Sequence, residues 1–337
     1  MSTTKPTIKD IAKRLGVSVA TVSKALNGYS DVNKQTKARV LALVEKLNFI
    51  PNQQAINFRK KSSSLIGLVL PQINHFYFSI LAEQVIGFAE KDNINVVIKP
   101  TFENLKKEIM ALKDLIKQNV DGILISLSNE TRNPTHLIET HKMGIPIVEF
   151  DRISKLSPLD KVTTRDKEAA YKAVQHLIDR GKKTIAHLRG PLLSQNFVDR
   201  FLGYKSAIEE AKLIYDEALV IQIQPNSLEG AKQAFLKLFK KRPDIDAVFA
   251  VTDITAVGAL EALKENAVKV PAQVSVVGFS NWQLSSLVSP KLTTIDQNPY
   301  LMAKAAYALL KRNMSNKESD AKQVIRIKTD LIIRESS

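Results

Sequence analysis

Residues 7–28 read TIKDIAKRLGVSVATVSKALNG, and their spacing sets the fold of the first fifty residues. Thr7 with Asp10 three positions on is a helix start in which side chain and backbone cap one another. Ile8, Ile11, Ala12 and Leu15 then fall on one helical face. Gly16 sits where that helix must end and the chain turn sharply. Ser18 caps a second helix over 19–26, closed by Asn27 and Gly28. Asn33 caps a third, whose buried stripe is Val40, Leu43, Val44 and Leu47. Three short helices joined by a tight glycine turn predict an all-α helix-turn-helix headpiece. In such a unit Val22 and Leu26 anchor the second helix, and Val19, Ala20, Ser23 and Lys24 face outward near its groove-entering side. Val19 and Ala20 suit thymine methyls, Lys24 suits guanine O6 and N7, and Thr21 with the first-turn N–H groups suits phosphate. Ser18 and Asn27, at the two ends of the helix, complete the expected DNA-contacting set. The alternative is a generic three-helix bundle with no such role.

Charge separates the two readings. The 337-residue chain carries a formal net charge of +15. Residues 1–61 hold twelve Lys/Arg against three Asp/Glu, a net of +9, so most of the excess lies in the first fifth of the chain. A compact basic block points to a polyanion, nucleic acid or an anionic membrane surface, rather than to a solvated tail. Cysteine is absent, which excludes disulfides, cysteine-ligated zinc and a thiol nucleophile. No long apolar stretch opens the chain, and no apolar run reaches the roughly 18–20 residues that span a bilayer. The expectation is a cytoplasmic protein without a membrane partner. The histidines (His75, His136, His141, His176, His187) show no metal-ligand spacing, and no phosphate-binding loop, zinc-protease or nucleophile-elbow motif occurs. No cofactor, metal or catalytic centre is expected, and so no enzyme.

Beyond the headpiece, residues 51–64 begin with a helix-compatible Pro51 and pass through Arg59-Lys60-Lys61 into three serines. A polar helix this short is marginal alone, so the segment reads as a hinge and linker. From 65 to 337 apolar runs recur at 65–70, 94–98, 122–126, 145–150, 184–188, 219–223, 247–251 and 274–279, with helical stretches between them. This alternation predicts an α/β core of two doubly wound parallel sheets. The first lobe is expected over about 65–163 and 296–333 and the second over about 164–295, with one final strand at 323–333. Ligands bind such sheets at the carboxyl ends of strands, here the cleft between lobes. Tyr77 and Phe78 follow the first strand and either stack on a ligand ring or begin a helix. Asp151 and Arg152 end another strand and either meet ligand hydroxyls or bridge to each other. Trp282, the single tryptophan, is either a stacking wall or a lobe-packing residue.

The stretch VSVATVS at 17–23, with RVLALVEKLNFIPN at 39–52, closely resembles the headpiece of the LacI family of bacterial repressors, and the resemblance runs the length of the chain. It implies base reading by Val19, Ala20 and Lys24. It implies a hinge helix that folds on DNA, with Asn52, Ala55 and Phe58 in the DNA-contacting set and Ala55 small so that the hinge helices of two subunits can approach closely. Phe58 stands where the family has a leucine that wedges between base pairs. The resemblance implies a periplasmic-binding-protein-like core. Arg200, in Arg200-Phe201-Leu202-Gly203-Tyr204, matches the family's effector-contacting arginine, the alternative being a structural ion pair. Asn196 lies one turn earlier on the same face. Thr252-Asp253 match a strand-end Asn/Ser-Asp pair, and Ser280 replaces a frequent effector-binding aspartate. The expected function is a ligand-responsive repressor that binds a palindromic operator as a homodimer or dimer of dimers. Its effector is a sugar or sugar derivative first and a purine second. A solute receptor without DNA function is the competing class.

Overall fold

Thr7 and Asp10 cap each other as their spacing predicts: the Asp10 N–H donates to Thr7 Oγ1 at 3.3 Å and the Thr7 N–H to Asp10 Oδ2 at 2.8 Å. Helix α1 (Ile8–Leu15) starts there and stops at Gly16, whose left-handed φ of +65° glycine adopts without strain. Helix α2 (Val19–Leu26) starts at Ser18, whose Oγ accepts the Thr21 N–H at 3.0 Å, and α3 (Lys34–Lys46) starts at Asn33, which accepts from Gln35 N. The three enclose Ile11, Ala12, Val22, Ala25 and Val40, with Leu43, Val44 and Leu47 packed against them. The computed structural model describes residues 6–26, 29–49, 63–74, 76–223, 227–315 and 322–337, and the chain divides into two units at Ser63 and Ser64. Asn27, Asn52, Ala55 and Phe58, and nearly all of the expected hinge, lie outside the described residues.

The second unit is built on two six-stranded sheets. The first lobe runs β1 (Leu65–Leu70), α4 (Phe76–Lys91), β2 (Asn95–Pro100), α5 (Leu105–Lys117), β3 (Gly122–Ile125), α6 (Thr135–Lys142), β4 (Ile147–Phe150) and β5 (Asp160–Thr164). The second lobe follows with α7 (Asp166–Asp179), β6 (Ile185–Arg189), α8 (Gln195–Glu210), β7 (Val220–Gln222), α9 (Leu228–Lys241), β8 (Ala247–Ala250), α10 (Asp253–Glu265), β9 (Ser275–Phe279) and β10 (Thr293–Asp296). The chain then returns for α11 (Pro299–Met314) and β11 (Val324–Ile327), and ends with β12 (Asp330–Ile332). Sheet orders are β11-β5-β4-β3-β1-β2 and β12-β10-β9-β8-β6-β7. Among the described residues every pairing is parallel except that of β12 with β10. In β1 alternate residues serve opposite faces. Leu68 and Leu70 join α4 and α11, while Val69 joins α5 and α6. The second sheet is covered by α9 and α10 on one face and by α7 and α8 on the other.

Three differences from the sequence expectation matter. The single strand expected at 323–333 is two strands in different lobes, because the two-residue alternation continues through Lys328-Thr329 while the chain crosses from one sheet to the other. Residues 330–337 therefore belong with the second lobe, where Ser336 O accepts from Val276 N at 2.8 Å. Strand β5 reads DKVTT and was hidden by its polarity, which its buried neighbours satisfy: Asp160 accepts from Asn313 Nδ2 at 2.7 Å and from Gln323 N at 2.6 Å. Strand β10, Thr293–Asp296, is a further strand of the second sheet that no apolar run marked.

Helices α7 and α8 approach so closely that only glycine fits at 203. A Cβ there would stand 2.3 Å from Lys167 O and 2.8 Å from Ala170 Cβ. Gly203→Ala is therefore expected to destabilise the core by about 1–3 kcal/mol. Gly87→Ala, in open space within α4, should instead stabilise it by up to about 1 kcal/mol. Urea unfolding of the two variants beside the parent protein checks both signs.

Candidate DNA-reading face and ligand cleft

On α2 the buried side is Val22 and Ala25. Ala20 and Lys24, four residues apart, share the exposed side. Ser23 and Thr21 are half-buried, and the Thr21 and Ser18 hydroxyls lie 2.8 Å apart, so both serve the helix start. Val19 differs from its expected outward position. It packs partly on the headpiece core beside Val17, because the first residue of a helix leans back over its own entry. Lys24 Nζ forms an ion pair with Asp31, a residue the sequence reading did not single out. The hydrogen bond between them raises the lysine and lowers the carboxyl from their ordinary values, so both are charged at neutral pH.

In the core, all ten residues expected around a ligand line one of two adjoining cavities where the lobes face each other. The outer cavity, about 130 Å³, is bounded by Gln72, Asn74, Phe76 and Tyr77 of the first lobe and by Thr252, Asp253, Ser280 and Trp282 of the second. The inner one, about 30 Å³, lies among Tyr77, Phe78, Asp151, Arg152, Asn196, Arg200 and Gln297. Strand ends and helix starts supply nearly all of them, as the doubly wound topology requires. Gln72, Asn74, Phe76, Phe197, Ile254 and Gln297 were not foreseen. Phe76, Phe197 and Ile254 each adjoin a foreseen residue, and Gln72 and Asn74 lie in the loop just past the end of β1; Gln297 follows β10, a strand no apolar run marked.

The geometry divides the side chains into those already employed and those left over. Tyr77 and Phe78 open α4 and sit in the first-lobe core, their rings edge to face at 5.8 Å. Arg152 does not bridge to Asp151. Its Nη1 donates to Glu103 at 2.7 and 2.9 Å and to Asn129 at 3.3 Å, and the guanidinium lies 5.4 Å from the Phe78 ring centre. Arg200 is a structural ion pair as well as a cleft residue. Nε donates to Asp166 at 2.7 Å, Nη1 to Val251 O at 2.8 Å, and the guanidinium stacks 3.7 Å from the Phe279 ring centre. Asn196 accepts from Ser194 Oγ at 2.6 Å and from Phe197 N at 2.9 Å. Asp253 accepts from Trp282 N at 2.6 Å and from the Thr294 hydroxyl, tying the 280–282 loop to α10. That loop turns through positive φ at Ser280 (121°) and Asn281 (49°). It brings Trp282 within 5.5 Å of Phe76 across the cleft.

The remaining atoms are the informative ones. Arg152 Nε and Gln297 Nε2 are buried with no hydrogen-bond partner, although Ser280 Oγ donates to Gln297 Oε1 at 2.9 Å, and the buried Tyr77 hydroxyl interacts with the Asp151 carboxyl. Asp151 lies beside them in a left-handed backbone conformation, φ +58°. Burial raises its pKa from 3.8 to about 6, against the pull of Arg152. Asp253 is raised to about 6 for the same reason. With Arg152 and Arg200 each neutralised by a carboxylate, the cleft presents two spare donors beside the Tyr77–Asp151 pair.

Comparison with known proteins gives this arrangement a context. Residues 7–52 match the family described as bacterial regulatory proteins, lacI family, and residues 66–318 match the periplasmic binding protein domain. The chain is 30% identical to catabolite control protein A of Priestia megaterium over 98% of its length and 99% of that protein's. It is 32% identical to the ribose operon repressor of Halalkalibacterium halodurans over 98% and 97%. Among solved structures it is similar to a complex of the transcriptional regulator CelR with cellobiose, with a TM-score of 0.75, 26% identity and coverage of 98% and 100%.

Removing Arg200 leaves Asp166 buried without its cation. Arg200→Ala should therefore lower core stability by about 3–5 kcal/mol, read by urea unfolding, apart from any effect on ligand binding. Asp151 gives a pH signature. Its folded pKa of about 6 exceeds the ordinary 3.8, so the folded chain binds the extra proton, and that stability is lost as pH rises from 4 to 6. Asp151→Asn should flatten this decline and raise stability at pH 7 by on the order of 2 kcal/mol. A stability–pH profile of both proteins checks it.

Proposed function

The chain belongs to the lacI family of bacterial regulatory proteins, whose members are DNA-binding regulators and not enzymes. On that premise we propose a cytoplasmic repressor that binds a palindromic operator as a homodimer and is controlled by a small neutral sugar or sugar derivative held between its lobes. The headpiece over 1–50 reads DNA, the segment 51–64 is its hinge, and 65–337 binds the effector and the second subunit. Among the described residues no helix is long and apolar enough to cross a membrane.

The observation that carries the ligand reading is the set of spare polar groups in the cleft. A buried donor without a partner costs about 1–3 kcal/mol, and two lie here beside the Tyr77–Asp151 pair. A sugar hydroxyl both accepts and donates. It can take hydrogen bonds from Arg152 and Gln297 and give one to Asp151. The two arginines are already paired with Glu103 and Asp166, which favours a neutral ligand over an anion. The ribose operon repressor and the CelR–cellobiose complex, both named for sugars, support the same class. Phe76 and Trp282 both line the outer cavity, which favours a purine as the second reading, since a planar base stacks on an aromatic face. Closure around a ligand between lobes is a hinge motion. Coupled to DNA affinity, it is worth about 1–3 kcal/mol, or roughly 5- to 150-fold in occupancy.

Thermal shift of the full chain with a panel of pentoses, hexoses, disaccharides and nucleobases tests the effector. A sugar at about a hundred times its dissociation constant should add about 2.7 kcal/mol; stabilisation by a nucleobase alone transfers the site to the second reading. Deleting residues 1–63, the first unit, should abolish operator binding and leave the sugar-induced shift intact. Operator retention by the truncated core, in a gel-shift assay, overturns the modular reading.

A further inference from the structure

We propose that Asp31 is a base-reading residue, and that Lys24 and Asp31 act as one unit recognising the major-groove edge of a single G·C pair. The proposal rests on the headpiece reading above. Asp31 lies in the turn between α2 and α3, and its carboxylate meets the Lys24 ammonium directly. Both side chains are half-exposed, 50% for Lys24 and 54% for Asp31. The fold has little need of such a pair, because exposed ion pairs contribute next to nothing to stability.

DNA binding, on the other hand, has reason to exclude an acid from this surface. A carboxylate facing phosphates repels them, and the headpiece otherwise concentrates positive charge. Residues 1–61 contain three acids, Asp10, Asp31 and Glu45. Asp10 is consumed by the α1 cap and Glu45 lies in the last turn of α3. Asp31 is the acid paired to the exposed side of the recognition helix. Chemistry supplies a use for it there. A G·C pair presents two acceptors on guanine, N7 and O6, and one donor on cytosine, N4–H. An ammonium beside a carboxylate offers a donor and an acceptor in complementary order. The carboxylate also restrains a lysine that would otherwise act as a mobile point charge free to settle on phosphate.

The test selects bound duplexes from a randomised pool with the full-length chain and with Lys24→Ala, Asp31→Ala and Asp31→Asn. Wild-type protein should enrich a motif with a G·C pair at the position that Lys24→Ala relaxes. Both Asp31 variants should relax that same position, lowering its preference for G·C by about 5- to 150-fold, while binding to random duplex tightens. The amide variant keeps the size of the side chain and guards against misfolding, which a melting curve of each variant monitors. The proposal is overturned if the Asp31 variants tighten selected and random duplexes by an equal factor with the motif unchanged, for then Asp31 only shields charge. It is also overturned if they relax a different position, or if the Lys24 position is not G·C. A wild-type protein that enriches no motif defeats the headpiece reading itself, which is a separate and distinguishable result.

Discussion

The guanidinium of Arg200 holds the second lobe's half of the cleft together. It joins Asp166 at the start of α7, the carbonyl of Val251 past the end of β8, and the ring of Phe279 at the end of β9. A buried cation without these partners would cost several kcal/mol, so the elements that carry them must keep their mutual register. The first lobe repeats the device with Arg152 and Glu103. Each lobe thus brings its own neutralised arginine to the shared cleft, which also holds two buried acids, Asp151 and Asp253, the second held by Trp282 N and the Thr294 hydroxyl. The ligand chemistry proposed above follows from that balance.

The same cleft is joined to the chain's crossings between lobes. The polypeptide passes from one sheet to the other after β5, after β10 and after β11. Gln297 lies in the second of these connections, one residue before Asn298 begins α11 in a left-handed conformation, and its amide is one of the spare donors in the inner cavity. On the proposed function, a ligand that accepts from Gln297 touches the hinge itself as well as the two rigid bodies. Binding and lobe angle are then linked through a hydrogen bond rather than through distant packing.

How legible all this was depended on whether a residue's role is local. The headpiece was readable almost residue by residue, since caps at Thr7, Ser18 and Asn33 and the turn at Gly16 are decided within four positions. Strands with apolar runs were equally plain. Strand β5 was not, because its polar residues are satisfied by Asn313 and Gln323, far along the chain. The exchange of sheets at 328–329 was invisible because alternation has the same period in both. In the cleft, family resemblance and strand-end position found the ten residues. Which of them are spent on structure, as Arg200, Asn196 and Asp253 are, required their partners to be seen. Asp31 escaped because nothing within one helical turn marks it; only the approach of the turn to α2 does.

Trp282 has a consequence of its own. It is the single indole in the chain, it is fixed to α10 through Asp253, and it faces Phe76 on the opposite lobe. Indole emission responds to local polarity, and on the proposed closure around a ligand this ring's surroundings change as the lobes part. The protein therefore carries an intrinsic optical gauge of its own opening, free of background from any second tryptophan and needing no attached dye.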